Sequence, residues 1–176
     1  PAAAHTVNTA ATTTAITADT PDPSTVNSAY TVSFSVAVTA PGTGAPTGNV
    51  TVSDGSASCF AAVSVGSCAL TSTSVGAKTL TATYPGDASF GGSVSAGAAH
   101  TVNLIGTTTT ITSVNPGTIV LGQQVTVSYT VSGLATGNVT VSDGTGGSCV
   151  ASVATGSCSF TPTSAGGKII TATYGG

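Results

Sequence analysis

Cys59, Cys68, Cys149 and Cys158 have the most chemistry to offer in this 176-residue chain. The two cysteines of each pair are nine residues apart. A zinc site of the common kind wants Cys-x-x-Cys knuckles with His partners, and those are absent. Two pairs of equal spacing in a hydroxyl-rich chain read instead as the disulfides Cys59–Cys68 and Cys149–Cys158. Disulfides imply an oxidising, extracellular compartment and a secreted or cell-surface protein.

The remaining titratable groups are sparse. Catalysis needs a nucleophile beside a base, or paired carboxylates in a cleft. The acids are Asp19, Asp22, Asp54, Asp87 and Asp143. Asp54 and Asp143 sit in identical Ser-Asp-Gly turns, and Asp87 in Pro-Gly-Asp, where a carboxylate accepts nearby backbone N–H groups. Asp19 and Asp22 flank Pro21 but fall short of the six to eight oxygen ligands that calcium takes. His5 and His100 stand at the same place in two similar segments and read as strand-surface residues. Lys78 and Lys168 precede a strand and read as solvent-reaching ends, although their parity would also allow an inward Lys–Asn crosslink. No Gly-x-Ser-x-Gly elbow links a strand to a helix. The expectation is no enzyme, no cofactor and no metal. Asn49-Val50-Thr51 and Asn138-Val139-Thr140 match the N-glycosylation pattern, so Asn49 and Asn138 are candidate glycan sites.

Composition narrows the partners. Only 4% of residues are charged and the net charge is −3, with two basic side chains, Lys78 and Lys168. Phosphate backbones need clustered cations, which excludes nucleic acid. No basic amphipathic stretch suits a membrane surface, and no apolar run approaches the ~20 residues of a bilayer span. No leader or anchor segment is legible, so the sequence reads as a mature chain or as an excerpt of a longer one.

The elements that must position these residues come from a repeat. Ala3–Asn8 (AAHTVN) recurs at Ala98–Asn103, an offset of 95. YTVSFSV at Tyr30–Val36 matches VTVSYTV at Val125–Val131, and TGNVTVSDG occurs at Thr47 and again at Thr136. A period near 95 residues suits a β-sandwich of immunoglobulin size. Val32, Phe34 and Val36 alternate with hydroxyl residues, as do Val50 and Val52, and Leu80, Ala82 and Tyr84. That period of two marks half-buried antiparallel strands, and no segment carries the helical period. The first copy is expected to hold strands at Thr12–Ile16 with Thr25–Val26, Tyr30–Val38, Asn49–Ser53, Cys59–Val63, Cys68–Thr73, Lys78–Tyr84 and Ser93–Val102. Cys59 and Cys68 then flank one hairpin, and their bond is expected to staple neighbouring strands rather than to cross between sheets.

These residues resemble the bacterial Ig-like repeat domains found in tandem in surface proteins. The carriers are TTTTITSVNPGTIVLGQQVTVSYTVS, GNVTVSDG, GKIITATYGG and TATYPGDASFGGS. The resemblance covers nearly the whole chain. It implies an all-β fold of tandem immunoglobulin-like sandwiches, used as spacers in adhesins or as modules of secreted enzymes. The short-range disulfide is not general in that group and marks a subfamily.

The second copy ends at Tyr174-Gly175-Gly176, without a match to Asp87–Val102, and so is expected to lack its last strand. The chain opens with a match to that strand. The expected organisation is residues 1–8 as an orphan final strand, 9–104 as the first domain and 105–176 as an incomplete second. Ala3, His5 and Val7 are then a candidate donor strand for Ile170, Ala172 and Tyr174 in another copy, or else the end of a preceding repeat. Either way the expected partners are copies of itself, head to tail, in an extracellular filament or adhesin stalk. The alternative is a carbohydrate- or surface-binding module on a secreted enzyme. It is disfavoured because the chain has no Trp and Tyr30, Phe34, Tyr84, Phe90, Tyr129 and Phe160 mostly sit at core parity.

Overall fold

The structure, a computed structural model, describes residues 2–133 and 135–176. Among them every regular element is a strand, and no helix is long and apolar enough to cross a membrane. The chain divides into two compact units, residues 1–104 and 105–176.

Unit 1 contains β1 (Thr12–Thr20), β2 (Ser24–Thr25), β3 (Ala29–Val38), β4 (Asn49–Ser53), β5 (Ser58–Ala62), β6 (Ser67–Thr71), β7 (Gly76–Gly86), β8 (Gly91–Val94) and β9 (Ala98–Asn103). One sheet has the order β1-β3-β6; the other runs β2-β9-β7-β4-β5, with β8 also paired to β7. Strand alternation builds the core between them. Tyr30, Val32 and Phe34 of β3 are buried while Thr31 and Ser35 face water. Val50 and Val52, then Leu80, Ala82 and Tyr84, do the same from the opposite sheet. Burying one such aliphatic or aromatic side chain is worth about 1.5–3 kcal/mol, and the hydroxyl face keeps the outer surface wet without charge.

Two differences from the sequence expectation go beyond a shift of one or two residues at strand ends. The segment read as one strand, Ser93–Val102, is two. Thr83 pairs with Val94 and Leu80 with Ala98, so three residues of one edge oppose two of β7. Ser95 fixes this bulge: its N–H donates to the Ala82 carbonyl at 2.8 Å and its hydroxyl accepts the Ala82 N–H at 2.9 Å. Gly97 is required beside it, because a Cβ there would meet the Thr79 methyl at 2.7 Å. The second difference is β1, which continues past Ile16 to Thr20 through another bulge. Ile16 pairs with Phe34 and Ala18 with Ser33, leaving Thr17 as the extra residue. Without it Ile16 and Asp19 would point to opposite faces. With it Asp19 pairs with the buried Val32 and shares its inward face.

The disulfides are Cys59–Cys68 and Cys149–Cys158, and no cysteine is free. Their placement corrects one expectation. Cys59 lies opposite Val52 on the edge strand β5, whereas Cys68 lies opposite Val32 on β6. Those strands belong to different sheets, because β6 pairs with β3 rather than folding back on β5. Both Val partners are fully buried, so both sulfurs face inward and the bond joins the two sheets across 5.9 Å of Cα separation.

Unit 2 contains β10 (Thr109–Asn115), β11 (Val125–Val131), β12 (Asn138–Ser142), β13 (Ser148–Ser152), β14 (Ser157–Phe160) and β15 (Thr171–Tyr174). Its sheets are β10-β11-β14 and β13-β12-β15. Their registers reproduce those of unit 1, including the bulge between Ile111 and Ser113. Val125, Val127, Tyr129, Val139, Val141 and Phe160 form the core. The departure lies before β15. Gly76–Leu80 of β7 is strand paired with β9, but its counterpart 166–170 is irregular, and Ile169 is 82% exposed.

Candidate functional site

In unit 1 the polar side chains converge on His100. The sequence reading placed this residue on a strand surface; it is fully buried instead. β9 is an inner strand of its sheet, lying between β2 and β7, and its ring points into the sandwich. The imidazole stacks on Tyr30 with ring centroids 3.9 Å apart and planes 11° from parallel. Its Nε2 lies 2.8 Å from the Ser24 hydroxyl, itself buried. Its Nδ1 faces two carboxylates, Asp19 Oδ2 at 2.6 Å and Asp22 Oδ1 at 3.4 Å. Asp22 also accepts the Thr101 N–H at 2.9 Å, tying the loop between β1 and β2 to β9.

Tyr30 continues the network. Its hydroxyl lies 3.1 Å from Ser72, and Ser72 donates a short hydrogen bond to Asp54 Oδ2. The other oxygen of Asp54 accepts the backbone N–H groups of Ser56 and Ala57 at 2.8 and 2.6 Å. Burial works to raise the Asp54 pKa, but the bonds from Ser72, Ala57 and Ser56 outweigh it and hold the group at about 2. A carboxylate whose folded value is depressed stabilises the fold above its ordinary value and stops doing so as pH falls through the folded one. Unit 1 is therefore expected to lose stability between about pH 4 and pH 2. Asp54→Asn should flatten part of that loss in chemical denaturation at pH 7, 4 and 2.5; an unchanged acid slope would contradict the assignment.

Unit 2 repeats the turn without the network. Asp143 Oδ1 accepts the Thr145 and Gly147 N–H groups at 2.8 and 2.9 Å. The Thr145 bond is the main reason its pKa is lowered, with burial opposing. Its buried Oδ2 has no partner, because Pro162 stands where unit 1 has Ser72. An unmet buried acceptor costs about 1–3 kcal/mol. Pro162→Ser should therefore raise the unfolding transition of unit 2 by about 1 kcal/mol after the loss of proline stiffness is counted. Thermal unfolding checks this, and a lowered transition contradicts it.

The four residues around His100 change together in unit 2. At the same offset of 95, Asp19, Asp22, Ser24 and Tyr30 become Val114, Gly117, Ile119 and Val125. Comparing the two copies position by position would have flagged the cluster. These substitutes line a cavity of about 320 Å³ together with Lys168 and Ile170. A second, of about 120 Å³, is lined by Ile119, Val120, Leu121, Pro162 and neighbours. In unit 1 the equivalent space, between β2 and the first half of β7, holds β9. Among the described residues no strand of unit 2 runs there. The rim is apolar and open: Val120 is 67% and Leu121 61% exposed.

The remaining predicted residues fall as follows. Ala172 and Tyr174 lie in β15, and Ile170 just precedes it, half-buried against the core. Ala3, His5 and Val7 are exposed and outside any strand, while Pro1 lies outside the described residues. Asn49 and Asn138 open β4 and β12 with their side chains exposed. Lys78 Nζ bonds Ser74 at 2.6 Å; Lys168 Nζ bonds Ser164 and Thr145.

Two facing sheets, a period-two core and a tyrosine closing each TATY run, Tyr84 buried and Tyr174 half-buried, define the immunoglobulin-like class of β-sandwich. Residues 16–103, half of the chain, match the bacterial Ig-like domain (group 3). The chain belongs to that family. No curated protein matches it.

Proposed function

We propose that the chain is a structural segment of an extracellular filament or adhesin stalk, with Ig-like units linked head to tail and unit 2 finished by an added β-strand. One observation carries this: the slot in unit 2 coincides with the place that β9 fills in unit 1. Residues 166–170 have backbone N–H and C=O groups free to pair, and Val120, Leu121 and Ile169 gain a dry neighbour when a strand lies beside them. Heterologous contacts of this kind propagate into linear arrays. The two disulfides fit an oxidising compartment. The exposed Asn49 and Asn138 leave room for glycans on an uncharged surface. A surface-binding module on a secreted enzyme is the weaker reading, since Tyr30, Phe34, Tyr84, Tyr129 and Phe160 are all buried and Phe60 stands as a lone exposed ring rather than part of an aromatic platform.

The donor on sequence grounds is Ala3–Asn8 of a neighbouring copy; the register of β9 would set Ala3, His5 and Val7 against Ile170, Lys168 and Gly166, whereas the sequence alone set them against Ile170, Ala172 and Tyr174. Seated in the register of β9, Val7 would replace Val102 and His5 would replace His100. His5 then meets Val114, Ile119 and Val125 in place of the Asp19, Ser24 and Tyr30 around His100, and its cross-strand neighbour Lys168 is already bonded to Ser164 and Thr145. Burying an unpaired polar group costs about 1–3 kcal/mol. His5→Val should therefore tighten self-association about tenfold or more in analytical ultracentrifugation. Deleting residues 1–8 should abolish it, and electron microscopy should show beads on a string for the intact chain alone. Assembly that persists unchanged in the deletion refutes donation by this segment.

A further inference from the structure

The cluster around His100 offers more than a fastening for β9. Its three ligand-capable groups come from separate places in the chain: the end of β1 beyond its bulge, the loop at Pro21–Pro23, and the inner strand β9. One ligand atom from each of Asp19, Asp22 and His100 lies within 4.8 Å of the other two. We propose that these residues form a binding site for a divalent first-row transition metal, of which zinc is the type, coordinated by His100 Nδ1 and one oxygen each of Asp19 and Asp22, with water completing the shell.

Three features of the geometry bear on this. The ring is already oriented, since stacking on Tyr30 and the Ser24 hydroxyl at Nε2 leave Nδ1 facing the carboxylates. Metal-bound histidines almost always donate their other ring N–H to such a partner. Access is available from one side, because the Asp22 side chain is 39% exposed while His100 is sealed. The spacing needs only small adjustment. The Nδ1–Oδ2 separation of 2.6 Å belongs to a hydrogen bond across which a proton sits. An ion in its place, with ligands about 2.0–2.2 Å away, would part the two atoms by under an ångström. The step balances: Nδ1 gives its lone pair to the metal, an imidazolium releases its Nδ1 proton to solvent while a neutral Nδ1–H ring shifts that proton to Nε2, and in either case Nε2–H donates to Ser24. One imidazole with two carboxylates suits zinc, whereas calcium takes oxygen ligands and gains little from the nitrogen. The set is confined to unit 1, its counterparts in unit 2 being Val114 and Gly117.

Isothermal titration of the whole chain with zinc chloride tests the site. The expected result is one zinc per chain with micromolar affinity, weakened at least about tenfold by Asp22→Asn or Asp19→Asn and untouched by His5→Ala. Nitrogen-15 spectra of the ring should show zinc on Nδ1 of His100 with the proton kept on Nε2, a signature a purely structural cluster would not give. His100→Ala removes a fully buried ring and so tests folding together with binding; the exposed Asp22 carries the test. Saturation absent below 1 mM, binding that survives both Asp variants, loss in His5→Ala, or equal binding of calcium would each overturn the proposal.

Discussion

Replacing His100 by alanine should destabilise unit 1 by about 3 kcal/mol, the largest single-residue effect expected outside the aliphatic core. The loss has three sources. Asp19, with its side chain only 16% exposed, loses the imidazole 2.6 Å away. Ser24 loses its partner on Nε2 while remaining buried. Tyr30 loses the ring stacked on it, opening a void against a side chain that is 1% exposed. Buried polar groups left without partners cost about 1–3 kcal/mol each, and with the void beside Tyr30 the sum comes to about 3 kcal/mol. For a domain of this size the transition should fall by roughly 12 °C or more. Calorimetry measures it, with the transition of unit 2 as internal reference. A loss under about 1 kcal/mol would mean the ring only fills space.

The second large effect is on the disulfides. Each closes a loop of about ten residues, for which chain entropy gives about 2.5–3 kcal/mol. The same loss weighs differently on the two units. Ten buried apolar residues form the first core and six the second. Cys149→Ser with Cys158→Ser should therefore unfold unit 2 near room temperature, whereas Cys59→Ser with Cys68→Ser should leave unit 1 folded with a lowered transition. Graded reduction followed by limited proteolysis checks the order, and earlier cleavage within residues 12–103 than within 109–174 would contradict it.

Much of this was legible in the chain because a period of two fixes which side chains turn inward. Val32, Phe34, Val50, Val52, Leu80 and Tyr84 are assigned to the core by alternation alone, and all are buried. The Ser-Asp-Gly turns were legible because an aspartate side chain bonds backbone two to four residues on, a purely local matter. The burial of His100 was not. It depends on the extra residue Thr17, which turns Asp19 inward, and on β2 pairing with β9 across 78 residues of sequence. Local patterning holds no record of either. The disulfide was placed correctly by spacing but given the wrong role, since the choice of β6 to pair with β3 is equally non-local.

The central claim, that unit 2 accepts a β-strand beside residues 166–170, is tested most directly by amide hydrogen exchange on the isolated chain and on assembled material. The account predicts fast exchange at 166–170 in the isolated chain and, after assembly, protection comparable to that of 76–80 in unit 1. Exchange at 166–170 that stays fast in the assembled material, or that is already slow in the isolated chain, would contradict it.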